Sequence, residues 1–208
     1  MKTRTSTLRS KLRPGRVFRR QELEPYSSNL NRDLQALVQS GALKKAFYGI
    51  YYCPEQSRFG ELPPDDHALI RAFLKTDDYL AFSPDELNGL GLGSTQLYNT
   101  LRVYNHKRHG VFTIAGKTYD FRLRPYFPKT LTEEFLFVEF LNERPHFAEE
   151  VALRPGRLQQ KIQQLNKARL ERMIKQFGKI YTQKIYAAIN SAPTASVSAQ
   201  SSRLLSTT

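Results

Sequence analysis

Leu30, Leu34, Leu37 and Val38 fall at i, i+4, i+7 and i+8, which is one apolar stripe of a helix and is expected to be buried. Pro25 stops whatever precedes this helix, and Ser27 or Ser28 is positioned to cap it. At about 100° per residue the opposite side carries Ser28, Arg32, Gln35, Ala36 and Gln39, with Asn31 on one flank and Asn29 on the other. Gly41 ends the helix. Residues 43–52, LKKAFYGIYY, read as a β-hairpin with Tyr48-Gly49 at its tip and with Phe47, Ile50 and one of the following tyrosines packed against the helices. Short helix, second helix, glycine break, basic strand and Tyr-Gly turn are the parts of a winged helix-turn-helix, so residues 1–54 are expected to form one.

Beyond it, residues 54–64 hold three prolines and no sustained periodicity, which predicts a linker over 55–64. Asp65 or Asp66 then caps a helix carrying Leu69, Ile70, Phe73 and Leu74, followed by a strand at residues 79–82. In SPDEL, Ser83 is the expected cap, Pro84 the first helical residue and Glu86 the partner in a capping box. Residues 111–114 and 118–123 flank Ala115-Gly116-Lys117 as a second hairpin, with residues 101–104 alongside. From Thr130 the pattern is helical: Leu131, Phe135, Val138 and Leu141; Leu158, Ile162 and Leu165; Leu170, Met173, Ile174 and Phe177; then Ile180, Ile185 and Ile189. The fold class is therefore α+β. It comprises an N-terminal winged helix-turn-helix, a small mixed domain over 65–190 with a hairpin at its centre and helices at its end, and a Ser/Ala/Thr-rich tail over 191–208 expected to be disordered.

Charge gives the first helix face a meaning. The net charge is +13, but it is unevenly placed: residues 1–54 hold 11 Lys or Arg against 3 acids, residues 55–150 hold 11 against 15, and residues 151–208 hold 10 against 1. Two basic ends around an acidic middle suit contact with a polyanion, of which nucleic acid is the first candidate. Arg bridges guanine, and Asn or Gln bridges adenine, in the major groove, so the outward face of the second helix has the chemistry to read base edges. A solvated surface of a polar helix has the same composition. No run of about 18 apolar residues exists to cross a membrane, and the basic N-terminus lacks the apolar core of a secretory signal. With Cys53 as the single cysteine, a reducing, cytoplasmic setting is expected.

Catalytic constellations are not completed. GLGLGS is glycine-rich, but no lysine follows until Lys107, so it does not make a phosphate-binding P-loop. Gly93-Ser94 matches the opening of a nucleotidyltransferase site, which needs an acidic pair; the next acid, Asp120, has Arg122 two residues on. His106 and His109 lack further Cys or His neighbours to complete a metal site. No enzyme activity, metal or cofactor is expected.

The layout resembles the AbiEi family of antitoxins from bacterial type IV toxin–antitoxin systems. The resemblance is carried by GRVF leading into a short helix, the residue 30–38 helix, the wing ending FYGIY, the block LAFSPDELNGLGLGSTQLYNTLRVYNHKRHGVFTIAGKTYDFRL and the closing LNKARLERMIKQFGKIYTQKIYAAI. It covers most of residues 5–190, and it departs at the wing tip, where Tyr48 stands in place of an arginine. The resemblance implies a non-enzymatic, cytoplasmic protein that binds inverted repeats in its own promoter as double-stranded DNA, represses its operon, and counteracts a nucleotidyltransferase toxin. Carried onto this chain, it makes Ser28, Asn31, Arg32 and Gln35 base readers, Lys44, Lys45 and Tyr48 wing contacts, and Arg19 and Arg20 phosphate contacts. Lys161, Lys167, Arg169, Arg172, Lys175, Lys179 and Lys184 form a candidate second basic surface, facing DNA or a partner, with a solvated helix face as the alternative. A stand-alone winged-helix regulator without a toxin is the competing reading.

Overall fold

The computed structural model describes residues 4–92, 99–143 and 155–191 of this mixed α+β chain. Its Cα atoms cluster into two compact units, one of residues 1–89 with 95–131 and the other of residues 90–94 with 132–208. The Gly93-Ser94 motif, His146 and residues 192–208 of the expected tail lie outside the described residues.

The first unit opens with α1 (Arg4–Lys11), which the sequence pattern did not reveal. Its register rests on Leu8, which is fully buried in a cluster with Phe18, Leu23, Leu30, Leu34, Leu37 and Leu43. Strand β1 (Val17–Arg19) leads into α2 (Arg20–Leu23) and a 3-10 turn, Glu24–Tyr26. Helix α3 (Leu30–Gln39) then places Leu30, Leu34 and Leu37 in that cluster as their spacing predicts. Two details differ from expectation. Asn29, not Ser27 or Ser28, caps α3, its side chain accepting the Arg32 N–H at 3.3 Å. Ser27 instead donates its hydroxyl to buried Asp33 at 2.7 Å. Val38 is 38% exposed, because its position at the edge of the stripe turns it away from the cluster.

Gly41, at φ 72°, turns the chain into β2 (Lys44–Phe47) and β3 (Ile50–Tyr52), an antiparallel hairpin with Gly49 at φ 70° in the tip. β1 pairs on the other side of β3, giving a three-stranded sheet in the order β1-β3-β2. The hairpin packs in a direction the sequence did not indicate. Tyr51 lies against the α3 cluster, whereas Ala46, Phe47, Ile50 and Tyr52 belong to a second cluster with Leu69, Ile70, Phe73, Phe121 and Tyr119. The Phe47 ring meets Phe73 edge-on at 5.2 Å, and the Ala115 N–H donates to the Ala46 carbonyl at 2.9 Å.

The expected 55–64 linker is in fact mostly a second hairpin, β4 (Glu55–Ser57) with β5 (Gly60–Leu62), too polar to show an apolar alternation. Because the cluster containing Ala46 and Ile50 continues through Leu69 and Phe121, this hairpin does not separate two cores. Helix α4 (Asp66–Leu74), capped by Asp65 accepting the Ala68 N–H at 2.7 Å, packs its Leu69, Ile70, Phe73 and Leu74 in this cluster. The four-stranded sheet has the order β6-β7-β9-β8, from β6 (Tyr79–Phe82), β7 (Thr100–Asn105), β8 (Gly110–Ile114) and β9 (Lys117–Leu123). β7 and β9 run parallel, while the β8–β9 hairpin turns at Ala115-Gly116 as expected. Between β6 and β7 lies α5 (Asp85–Asn88), where Glu86 reaches back to accept the Ser83 N–H at 3.0 Å as expected, but Pro84 rather than Ser83 occupies the cap position.

In the second unit, α6 (Glu133–Glu143) is buried from Glu134 onward. It is followed by α7 (Pro155–Gln164), α8 (Lys167–Phe177) and α9 (Ile180–Ser191). Leu158, Leu165, Leu170 and Ile174 are buried as their spacing predicts. The stripe expected on α9 is displaced: Ile180 is 77% exposed, and the buried residues are Thr182 and Tyr186. The displacement follows from Asn142, a fully buried side chain on α6. Its Nδ2 donates to Glu139 at 3.1 Å and to the Phe177 carbonyl at 3.0 Å, while its Oδ1 accepts the Lys179 N–H at 2.9 Å and the Thr182 hydroxyl at 2.8 Å. Every donor and acceptor site of this amide is used, and together they fix the start of α9 against α6.

Candidate nucleic-acid interface

The outward face of α3 and the basic strand β2 enclose an open groove of about 200 Å³, lined by Asn31, Leu34, Gln35, Val38, Lys45 and Tyr51. Leu34 supplies an apolar floor, the two amides and Val38 form one wall, and Lys45 puts a cation on the other. No carboxylate lines it. Arg32 is exposed on the same helix, 3.8 Å from Asp33, and Ser28 is exposed ahead of the cap. Tyr48 is 88% exposed at the hairpin tip, with the Lys45 ammonium 6.0 Å from its ring centre. The structure therefore gathers Asn31, Gln35 and Lys45 about one groove, with Arg32, Ser28 and Tyr48 exposed on the elements that frame it.

The remaining predicted cations have intramolecular duties. Lys44 donates to Glu61 of β5 at 2.6 Å, and that hydrogen bond raises the pKa of its ammonium above its ordinary value. Its alternate position on the strand also sets it apart from the groove wall that Lys45 forms. Arg19 pairs with Glu22 at 2.8 Å, closing a capping box at the start of α2. Arg20 joins three elements: its N–H donates to the Gly49 carbonyl in the hairpin tip at 2.8 Å, its guanidinium donates to Asn31 Oδ1 on α3, and Glu24 lies 3.7 Å away. The acids responsible were visible in the sequence as i+3 and i+4 neighbours of Arg19 and Arg20, but Glu61 was hidden by the reading of its hairpin as a linker.

Of the candidate second basic surface, Lys161, Arg169 and Lys179 turn toward α6. Lys161 lies 3.5 Å from Glu133, Arg169 lies 3.5 Å from buried Glu134, and the Lys179 ammonium donates to the Asn142 carbonyl at 3.1 Å. Lys167, Arg172, Lys175 and Lys184 remain exposed on α8 and α9.

Elsewhere, polar groups are consumed by packing. Asp66 accepts from Lys117 at 3.0 Å and from the Tyr119 hydroxyl at 2.6 Å; burial, then this bond, raises the pKa of the phenol well above its ordinary value. Asp120 lies between Arg102, at 3.6 Å, and Arg122, at 2.8 Å. His106 stacks on Phe127 and lies 3.4 Å from Asp78. Burial raises the pKa of the half-buried Cys53 thiol, which disfavours the thiolate. Among the described residues no three of His, Cys, Asp and Glu come together as a metal site, and no helix is long and apolar enough to cross a membrane. No family model matches the chain, and neither the curated proteins nor the solved structures contain a match to it.

Proposed function

We propose that α2, α3 and the β2–β3 hairpin act as a winged helix-turn-helix that lays α3 in the major groove of double-stranded DNA. The observation carrying this reading is the α3–β2 groove, where two amides and a lysine face outward with no carboxylate among them. Such a surface attracts phosphates through Lys45 and offers base-edge donors and acceptors through Asn31, Arg32 and Gln35. Lys44 and Arg19, tied to Glu61 and Glu22, have the smaller part in this contact.

The biological setting rests on the resemblance to the AbiEi antitoxins: the chain is a cytoplasmic, non-enzymatic antitoxin that represses its own operon at promoter inverted repeats and counteracts a nucleotidyltransferase toxin. Band-shift titration on the upstream promoter tests the DNA half. Arg32→Ala with Gln35→Ala is expected to weaken binding on the order of 100-fold, since each bidentate base contact discriminates by about 1–3 kcal/mol. Lys45→Ala is expected to reduce the slope of log affinity against log salt by about 1, and Lys44→Ala by much less. Unchanged affinity and slope in all of these variants would place the interface elsewhere. Co-expression with a toxin encoded beside the gene tests the other half: rescue of growth is expected, and persistent toxicity would leave a stand-alone regulator.

A further inference from the structure

The base readers on α3 differ in what they still have to offer. Arg20 donates to Asn31, and because a guanidinium has no acceptor, the atom it touches is the amide oxygen. The Asn31 amide nitrogen keeps its two N–H donors, and Asn31 lines the groove. Gln35 is exposed on the same groove wall with both its donor and its acceptor, and Val38 follows as an apolar group. With Leu30 at zero and about 100° per residue, Val38, Asn31 and Gln35 sit near 80°, 100° and 140°, a single flank of the helix. Their spread along the axis, about 10 Å, is enough to reach three neighbouring base pairs, whose outer members lie about 6.8 Å apart.

We infer that this flank reads three neighbouring base pairs as donor only, donor plus acceptor, and methyl-sized apolar group, with Arg20 as the positioning residue that sets the first. The inference rests on the DNA-reading role proposed above and goes further by naming the bases. Asn31 meets guanine, whose N7 and O6 both accept; adenine is disfavoured because its N6 donor would have to approach an oxygen already beside a guanidinium cation. Gln35 meets adenine, pairing with N6 and N7. Val38 meets the thymine methyl. An unconstrained asparagine prefers adenine, so Arg20 reverses the choice at one position without itself touching a base.

The test is selection of bound duplexes from a randomised library by the full chain and by Arg20→Met, Arg20→Lys and Asn31→Ala. The position read by Asn31 is the one whose preference vanishes in Asn31→Ala, a substitution of an exposed side chain. Wild-type protein is expected to favour guanine there; Arg20→Met is expected to shift the guanine-to-adenine ratio toward adenine on the order of tenfold. Arg20→Lys, which still presents only donors to the amide oxygen, keeps guanine. Adenine favoured by the wild type, or guanine retained by a folded Arg20→Met, overturns the inference, and the wild-type profile decides it even if Arg20→Met does not fold. Duplex binding without any base preference overturns this reading row but leaves phosphate contact standing, whereas absence of duplex binding removes the DNA-reading role itself.

Discussion

Asn31 on α3 and Asn142 on α6 are the same residue on the same kind of element, yet they are used in opposite ways. Asn142 is sealed among four hydrogen bonds that join α6, the end of α8 and the start of α9. The Asn31 side chain accepts one bond, from Arg20, and lines an open groove. The difference teaches how to separate polar residues that build a fold from those left over for recognition. A buried amide is stable only when all its sites are filled, whereas a recognition amide must keep some of its capacity unspent.

The largest expected effect follows from the filled amide. Asn142→Ala leaves the Thr182 hydroxyl, the Lys179 N–H and the Glu139 carboxylate without this partner, and is expected to cost about 4 kcal/mol in chemical denaturation. A loss under about 1 kcal/mol would break the comparison. A second test sits on α3 itself, two residues from Asn31. Asp33 is 4% exposed and accepts the Ser27 hydroxyl, so Asp33→Ala is expected to destabilise by about 2 kcal/mol, although it belongs to the same helix as the proposed reading residues.

Tyr119 extends the contrast to pH. Its folded-state pKa is raised above the ordinary 10.0, so its contribution is fully present below pH 10 and declines as pH rises from 10 through the folded value. The decline has a limiting slope of about 1.4 kcal/mol per pH unit for one proton. Denaturation midpoints of wild type and Tyr119→Phe should run parallel below pH 10 and converge above it, as the wild type loses what the protonated phenol contributes. The smallest effect belongs to Asn31→Ala, expected to change stability by less than about 0.5 kcal/mol, since the side chain is exposed and leaves Arg20 with Glu24 and solvent. A larger loss would turn Asn31 into a second structural amide.

What the sequence disclosed follows the strength of its periodicity. Leu30, Leu34 and Leu37 define α3 because three apolar residues near one angular position leave no other helical face to bury. Val38 was misplaced because it lies about 80° from Leu30, at the edge where a methyl group can face either the core or the groove. The β4–β5 hairpin was illegible because its paired residues, among them Glu55 with Leu62 and Gln56 with Glu61, carry no alternation of apolar and polar character. Among the described side chains of α1, Leu8 is the buried anchor, too little to establish a period. At the candidate interface, the residue types were readable, but their vacancies were not. Nothing in the linear chain tells that Lys44 would be taken by Glu61 while Lys45 stays at the groove, since that choice depends on a contact 17 residues away.

The pairing of Ala46 with Ala115, and the burial of Ile50 beside Leu69 and Phe121, have a practical corollary. Trimming the chain at residue 54 to obtain a minimal DNA-binding piece would strip the hairpin of the layer against which one of its sides rests, leaving Ala46, Phe47 and Ile50 as a sticky apolar strip. The hairpin is braced like a shelf against a wall rather than hung on a hinge, so its tip is held at a preset angle and the shortest sensible fragment carrying it runs on to residue 131.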